Sequence, residues 1–173
     1  MTTRDMVEMN NTLDVSVRES PQVYYTRQSR LSDPGVESSL LVGLPTSIGE
    51  LCAVVQGLLI HYCEGALYRT TIPRARTTEL NLRSVEAILA RIRELDARPL
   101  RVARPPERRV VGCCRDFALL LTAILRSQAV SARARYGFAT YFHDPDLAFG
   151  DHVICEYWNA DLNRWTLVDP QQD

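Results

Sequence analysis

The stretch VVGCCRDFALLLTAILRSQ, Val110 to Gln128, sets two adjacent cysteines at the mouth of an apolar helix. Phe117, Leu120, Leu121, Ile124 and Leu125 recur at three- and four-residue spacing, the stripe of a helix buried along one face. Gly112 stands just before it, where a backbone needs either a positive φ or a close approach. Cys113 and Cys114 then fall in the first turn. Amides without intrahelical acceptors and the positive end of the dipole lie there, and both favour an anion. A thiolate is an anion, and a helix N-terminus lowers a cysteine pKa. Neighbouring helical side chains point about 100° apart, so only one of the two sulfurs can face a cleft. A disulfide between them is sterically poor.

Composition bounds what this element can belong to. A chain of 173 residues is the size of one domain. Its 46% hydrophobic and 24% charged residues are ordinary for a globular protein. A formal net charge of −1 argues against a general nucleic-acid or membrane-surface binder. All 20 basic residues are arginine, so the chain has no lysine amine of its own to meet a reactive acyl group. The cysteines are Cys52, Cys63, Cys113, Cys114 and Cys155. Their odd number, and a beginning (MTTRDMVEMNNTLDVS) without an apolar stretch, speak against a secreted disulfide framework. No apolar run approaches the roughly 18 residues of a membrane span. The expectation is a cytoplasmic protein with no membrane or nucleic-acid partner and no cofactor or metal. A zinc site built from Cys113, Cys114, Cys155 and His152 would lack the Cys-x-x-Cys pair such sites use.

Residues 1–45 read as a partly irregular N-terminal segment, and 46–173 as the core of a single globular domain. Leu13, Val15 and Val17 alternate as in a short edge strand, and SDPG at 32–35 signals a turn. The first strong helix begins at PTSIGELCAVVQGLLIHYC. Ser47 and Glu50 form a capping-box pattern, followed by Leu51, Val54, Val55, Leu58 and Leu59 at helical spacing. Cys52 and Cys63 lie on or near this helix, and His61 at its end reads as a histidine stabilised by the dipole. A second helix runs through LNLRSVEAILARIREL. The loop at 98–109, with three prolines and five arginines, reads as a solvated connector. A sharper reading brings Arg108 or Arg109 to the following helix start to steady an anion.

The last third is β in character. SARARYGFATYF reads as a strand pair or a bent strand around Gly137. DHVICEYW and RWTLVD read as two strands joined by NADLN. His152, Ile154, Glu156 and Trp158 share one face of the first strand, and Trp165, Leu167 and Asp169 one face of the second. With an even number of residues between paired positions the faces coincide, and His152 and Asp169 become opposite or diagonal neighbours. Cys113 and Cys155 read as core residues. His143 reads as a solvated loop residue. Tyr136, Tyr141 and Phe142 are candidates to line a substrate cleft, with core packing the competing role. Gln56 is a candidate oxyanion donor, although a helix-face glutamine is more commonly structural.

A cysteine at a helix start, a histidine on a strand and a carboxylate on the next are the parts of a thiol acyl-transfer site. GCCRDFALLLTAILRSQAVSARARYGF, DHVICEYW and RWTLVDPQ resemble, in that order, the motifs of the bacterial transglutaminase-like family. The resemblance implies a papain-like α+β fold, with helices packed on an antiparallel sheet. It implies that Cys114 is the nucleophile, in a pattern of glycine, any residue, cysteine and Arg-Asp-Phe-Ala, and that His152 and Asp169 complete the triad. Two departures stand out. Ile154 replaces a tryptophan common in relatives, and the chain ends four residues after Asp169 where relatives often continue. The implied activity is attack by Cys114 on a glutamine carboxamide or peptide-type amide of a protein or peptide. The resulting thioester would pass to a primary amine or to water, with hydrolysis ranked level with transfer. The alternatives are an inactive peptide-binding module that keeps the fold and a structural domain from a larger protein. The sequence does not give an oligomeric state.

Overall fold

The computed structural model describes residues 19–141 and 149–173. The alternation at Leu13–Val17, together with Phe142 and His143, lies outside those residues. The elements are helices α1 (Pro21–Tyr24), α2 (Ile48–Leu58), α3 (Val85–Leu95) and α4 (Cys114–Ser127), and strands β1 (Leu59–His61), β2 (Val110–Gly112), β3 (Ala132–Ala139), β4 (Gly150–Asn159) and β5 (Arg164–Val168). Short 3-10 turns occupy Gly35–Leu41, Arg74–Asn81 and Pro106–Arg108.

Helix α4 is the centre. Phe117 to Leu125 are buried without interruption, because the helix packs on β3 and β4 on one side and meets α2 and α3 on the other. Serines start the two flanking helices. Ser47 Oγ accepts from the Glu50 amide and Ser84 Oγ from the Ala87 amide, both at 3.3 Å, satisfying donors that the first turns leave open. Helices packed on an antiparallel sheet make this an α+β fold, as expected.

Helix α2 is shorter than its pattern suggests. It stops at Leu58, and Leu59–His61 form β1, paired parallel to β2 with Leu59 opposite Val110 and His61 opposite Gly112. Leu58, Leu59 and Ile60 are all buried, and a continuous apolar run does not distinguish a buried helix from a buried strand. His61 is therefore a strand residue and not a helix terminus.

The three-stranded sheet has the order β3-β4-β5, antiparallel throughout. ARARYGFA, Ala132–Ala139, is one strand, running straight through Gly137. Asn159 pairs with Arg164, so the connection holds the four residues 160–163, the even number that makes the two faces coincide.

The segment before α2 is tied to this core. The Ala132 amide donates to Tyr25 O at 3.1 Å, Gln28 Nε2 donates to Ala123 O at 2.9 Å, and Leu41 and Leu44 join the apolar cluster. At SDPG, Asp33 Oδ1 accepts from the Gly35 amide at 2.9 Å and Gly35 takes φ +51°, which makes a turn.

The 98–109 loop is exposed along most of its length, as a solvated connector would be, but it is organised around one buried arginine. Arg104, 2% exposed, sits at its centre and donates to the carbonyls of Asp96, Arg98, Pro99 and Val102. Arg108 Nη1 is held by Leu95 O at 3.0 Å, and Arg109 Nε by Arg104 O at 2.9 Å. These carbonyl partners turn both side chains toward the loop and α3, so neither reaches the start of α4. Among the described residues no helix is long and apolar enough to cross a membrane.

Candidate active site

The site begins with the way α4 starts. Cys113 is the N-cap residue and Cys114 the first helical residue. Asp116, three residues on, turns back so that its Oδ2 accepts from the Cys113 amide at 2.9 Å, while Arg115 pairs with its Oδ1 at 2.7 Å. This fold-back explains Gly112. A Cβ there would lie 3.2 Å from both Cβ and Oδ2 of Asp116, so the glycine serves a close approach; its φ is not positive.

The β4–β5 hairpin supplies the other two groups. Trp158 faces Trp165 and Glu156 faces Leu167. Two steps further the same register sets Asp169, just past β5, diagonal to His152. The His152 Nε2 to Asp169 Oδ2 distance is 2.7 Å, and both side chains are buried. Asp169 Oδ1 accepts from the Gln171 amide at 3.0 Å, and Oδ2 also accepts from Tyr141 Oη at 2.6 Å. Burial alone would raise this carboxyl's pKa; the hydrogen bonds from His152, Tyr141 and Gln171 hold it below its ordinary value.

The Cys114 thiol is hydrogen-bonded to the His152 imidazole and to the Val153 amide. Since Nε2 is committed to Asp169, Nδ1 is the ring nitrogen left for sulfur. The Cys114 pKa is lowered, first by the hydrogen bond from Cys113 and then, against its burial, by His152 and the Val153 amide. The Cys113 pKa moves the opposite way for the same hydrogen bond. Between the two sulfurs the proton stays on Cys113, because only Cys114 faces the imidazole. For His152, burial acts to lower the pKa, but Asp169 and Cys114 overcome it and push it up to about 9. The arrangement favours a thiolate beside an imidazolium.

Of the residues expected to line a cleft, Tyr136 is exposed on β3 and borders a cleft of about 310 Å³ with Arg135, Phe138, Tyr141, His152 and Leu167. Tyr141 does more than line it. Its hydroxyl supports Asp169, and its ring stands edge-on to His152 at 6.0 Å. Gln56 is engaged elsewhere, its Nε2 donating to Asp173 O at 3.1 Å. Cys52 and Cys155 are buried in the core, where burial pushes their thiols up to about 11 and about 12. Cys63 is exposed, and Cys113 is half-buried against Cys114 and not a core residue. The helix start that makes Cys114 an anion site also keeps its neighbour out of the hydrocarbon.

Three residues near the site had no functional reading in the sequence. His61, at the end of β1, interacts electrostatically with Glu64, Cys114 and His152, and burial lowers its pKa. Asp173 Oδ2 accepts from the Asp169 amide at 2.8 Å. Gln171 Nε2 donates to Glu64 Oε1 at 2.7 Å, joining the turn after Asp169 to the turn after β1. The polar run DPQQD, directly after the aspartate strand, was the available signal for the last two.

Residues 73–170, more than half of the chain, match the sequence model of the core of the transglutaminase-like superfamily. None of the curated proteins matches this chain. Among solved structures, it is similar to the periplasmic domain of TgpA from Pseudomonas aeruginosa, at 20% identity and a TM-score of 0.30. That similarity covers 78% of this chain and 49% of the other, so the chain spans about half the length of that structure.

Proposed function

The chain belongs to the transglutaminase-like superfamily, and from that premise we propose that it is a cysteine-dependent acyl-transfer enzyme acting on carboxamides of proteins or peptides. The observation that carries this reading is the hydrogen-bonded line from Cys114 through His152 to Asp169. The Cys114 thiolate attacks the carbonyl carbon. A C–S bond forms, and the π pair moves onto oxygen. When that pair returns, the C–N bond breaks, and the nitrogen leaves with the proton that His152 Nδ1 held. The thioester is then attacked by a primary amine or by water, whose proton passes to His152, and the C–S bond breaks to return the Cys114 thiolate. An amine yields a new amide, and water yields the acid. Asp169 keeps the proton on Nε2 and the ring in plane throughout. Tyr136 and Tyr141 border the acyl-donor side. Residues 46–173 form the core domain, with residues 19–45 packed along it. Five free cysteines suit a reducing compartment such as the cytoplasm.

Limiting iodoacetamide at pH 6, followed by mapping of the modified residue, tests the nucleophile. Cys114 is expected to react first, and to lose that priority in His152→Ala. Uniformly slow labelling of all five cysteines would overturn the reading. A glutamine-containing peptide, incubated with and without an added primary amine, separates transfer from hydrolysis by product mass: conjugate in one case, acid in the other.

A further inference from the structure

Attack by Cys114 places negative charge on the substrate oxygen, and donors already aimed at that charge are commonly the largest contribution to catalysis. The first turn of α4 offers one such donor. The Cys113 amide is taken by Asp116, which leaves the Cys114 amide beside its own sulfur. A second donor stands on β1. His61 is the parallel partner of Gly112, so the two project to the same face. On that face a Cβ at Gly112 would touch Asp116, in the first turn of α4. The His61 ring therefore extends toward the turn that carries Cys114. Its orientation is fixed from behind: Nδ1 accepts from the Cys63 amide at 3.4 Å, which leaves the ring proton on Nε2. The turn that follows is pinned, since Glu64 donates its amide to His61 O at 2.9 Å and accepts from Gln171 on the Asp169 side. Gln56, the other candidate, is engaged with the C-terminal residue.

We propose that His61 is a further catalytic residue, which donates Nε2–H to the oxyanion of the tetrahedral intermediate alongside the Cys114 amide; this rests on the acyl-transfer reading above. Two reagents aimed at the same sulfur test it. Iodoacetamide alkylates by displacement at a saturated carbon: the C–S bond forms, iodide leaves and no oxyanion arises. With 4-nitrophenyl acetate the thiolate adds to a carbonyl and passes through an oxyanion, before nitrophenolate leaves and the thioester remains. In His61→Ala the alkylation of Cys114 should stay within about twofold of wild type, while thioester formation falls by roughly 10²-fold. His61→Gln, whose side-chain amide can still donate, should recover about tenfold of that loss. If both reactions slow together, His61 acts on the thiolate or the fold and the proposal is overturned. If neither slows, the ring does not meet the oxyanion and it is likewise overturned. If Cys114 in the wild-type protein reacts no faster than the other cysteines, the acyl-transfer reading itself fails first.

Discussion

Asp169 accepts from three donors at once, and this accounts for the charge state of the group it serves. The His152, Tyr141 and Gln171 hydrogen bonds outweigh burial and keep the carboxylate ionised. The ionised carboxylate, with Cys114, holds His152 up at about 9. The sign of the pH dependence follows. Cys114, with its lowered pKa, is a thiolate already below neutrality, and the imidazolium, which on the proposed acyl-transfer reading protonates the leaving nitrogen, is lost as pH rises through about 9. Turnover measured against pH should therefore hold a plateau across neutrality and fall above about pH 9. Asp169→Asn should move that alkaline limb to lower pH and lower the plateau by roughly 10²- to 10⁴-fold. An unmoved limb would mean that Asp169 does not govern the imidazole. At this scale the meeting of His152 with Asp169 was legible on condition of an even loop, through the two-residue repeat of a strand, while the choice of Cys114 over Cys113 came with the family resemblance. His61 was hidden by a shift of element, and Tyr141's hydroxyl bond by distance in sequence. A histidine placed at a helix end faces solvent, whereas one at the end of a short buried strand faces what the strand serves.

Elements placed the sulfur more firmly than their sequence signals suggested. The stripe of α4 gave its position, and the serine caps of α2 and α3 were readable from the pattern of oxygen followed by an amide three residues on. The α4 cap is different. Cysteine is a poor cap, and the acceptor is Asp116 reaching back to the Cys113 amide across the space that Gly112 leaves open. Asp116→Ala removes that acceptor at a buried position and strands the amide. It should lower unfolding free energy by about 1–2 kcal/mol in urea titration and slow alkylation of Cys114 as the first turn frays. Wild-type stability in the variant would show that the cap contributes nothing. β1 and β2 were not legible at all: three residues each give no period to count, and their pairing joins segments some fifty residues apart.

Across the whole molecule, what fastens the second of those short strands, β2, beside the candidate site is a buried acid. Glu79, between α2 and α3 in the chain, accepts five hydrogen bonds: two from Arg76, two from Arg91 and one from the Val111 amide on β2. Arg76 in turn donates to Glu107 O and Arg109 O, so the 3-10 turn, α3 and the strand leading into Cys114 are fastened at one carboxylate. Arg104 organises the preceding loop in the same way, through carbonyls. Neither hub follows from periodicity, which sees an arginine-rich surface and not which arginine turns inward. Burial raises the Glu79 pKa, but the arginine and Val111 hydrogen bonds more than reverse it, so the folded value lies below the ordinary one. A depressed folded pKa contributes stability that is present above the unfolded value of about 4.3 and is lost as pH falls through the folded value. Glu79→Gln should cost roughly 2–4 kcal/mol at pH 7, somewhat under the usual loss for a broken buried pair because the Arg91 side chain is 34% exposed. The gap from wild type should narrow steadily below about pH 4, which denaturant titrations at pH 7 and pH 3.5 would read. A gap that stayed constant would assign the loss to shape and not to charge. Because Val111 lies three residues before Cys114, the same variant should also slow Cys114 alkylation at pH 7, linking the stability of this hub to the placing of the sulfur.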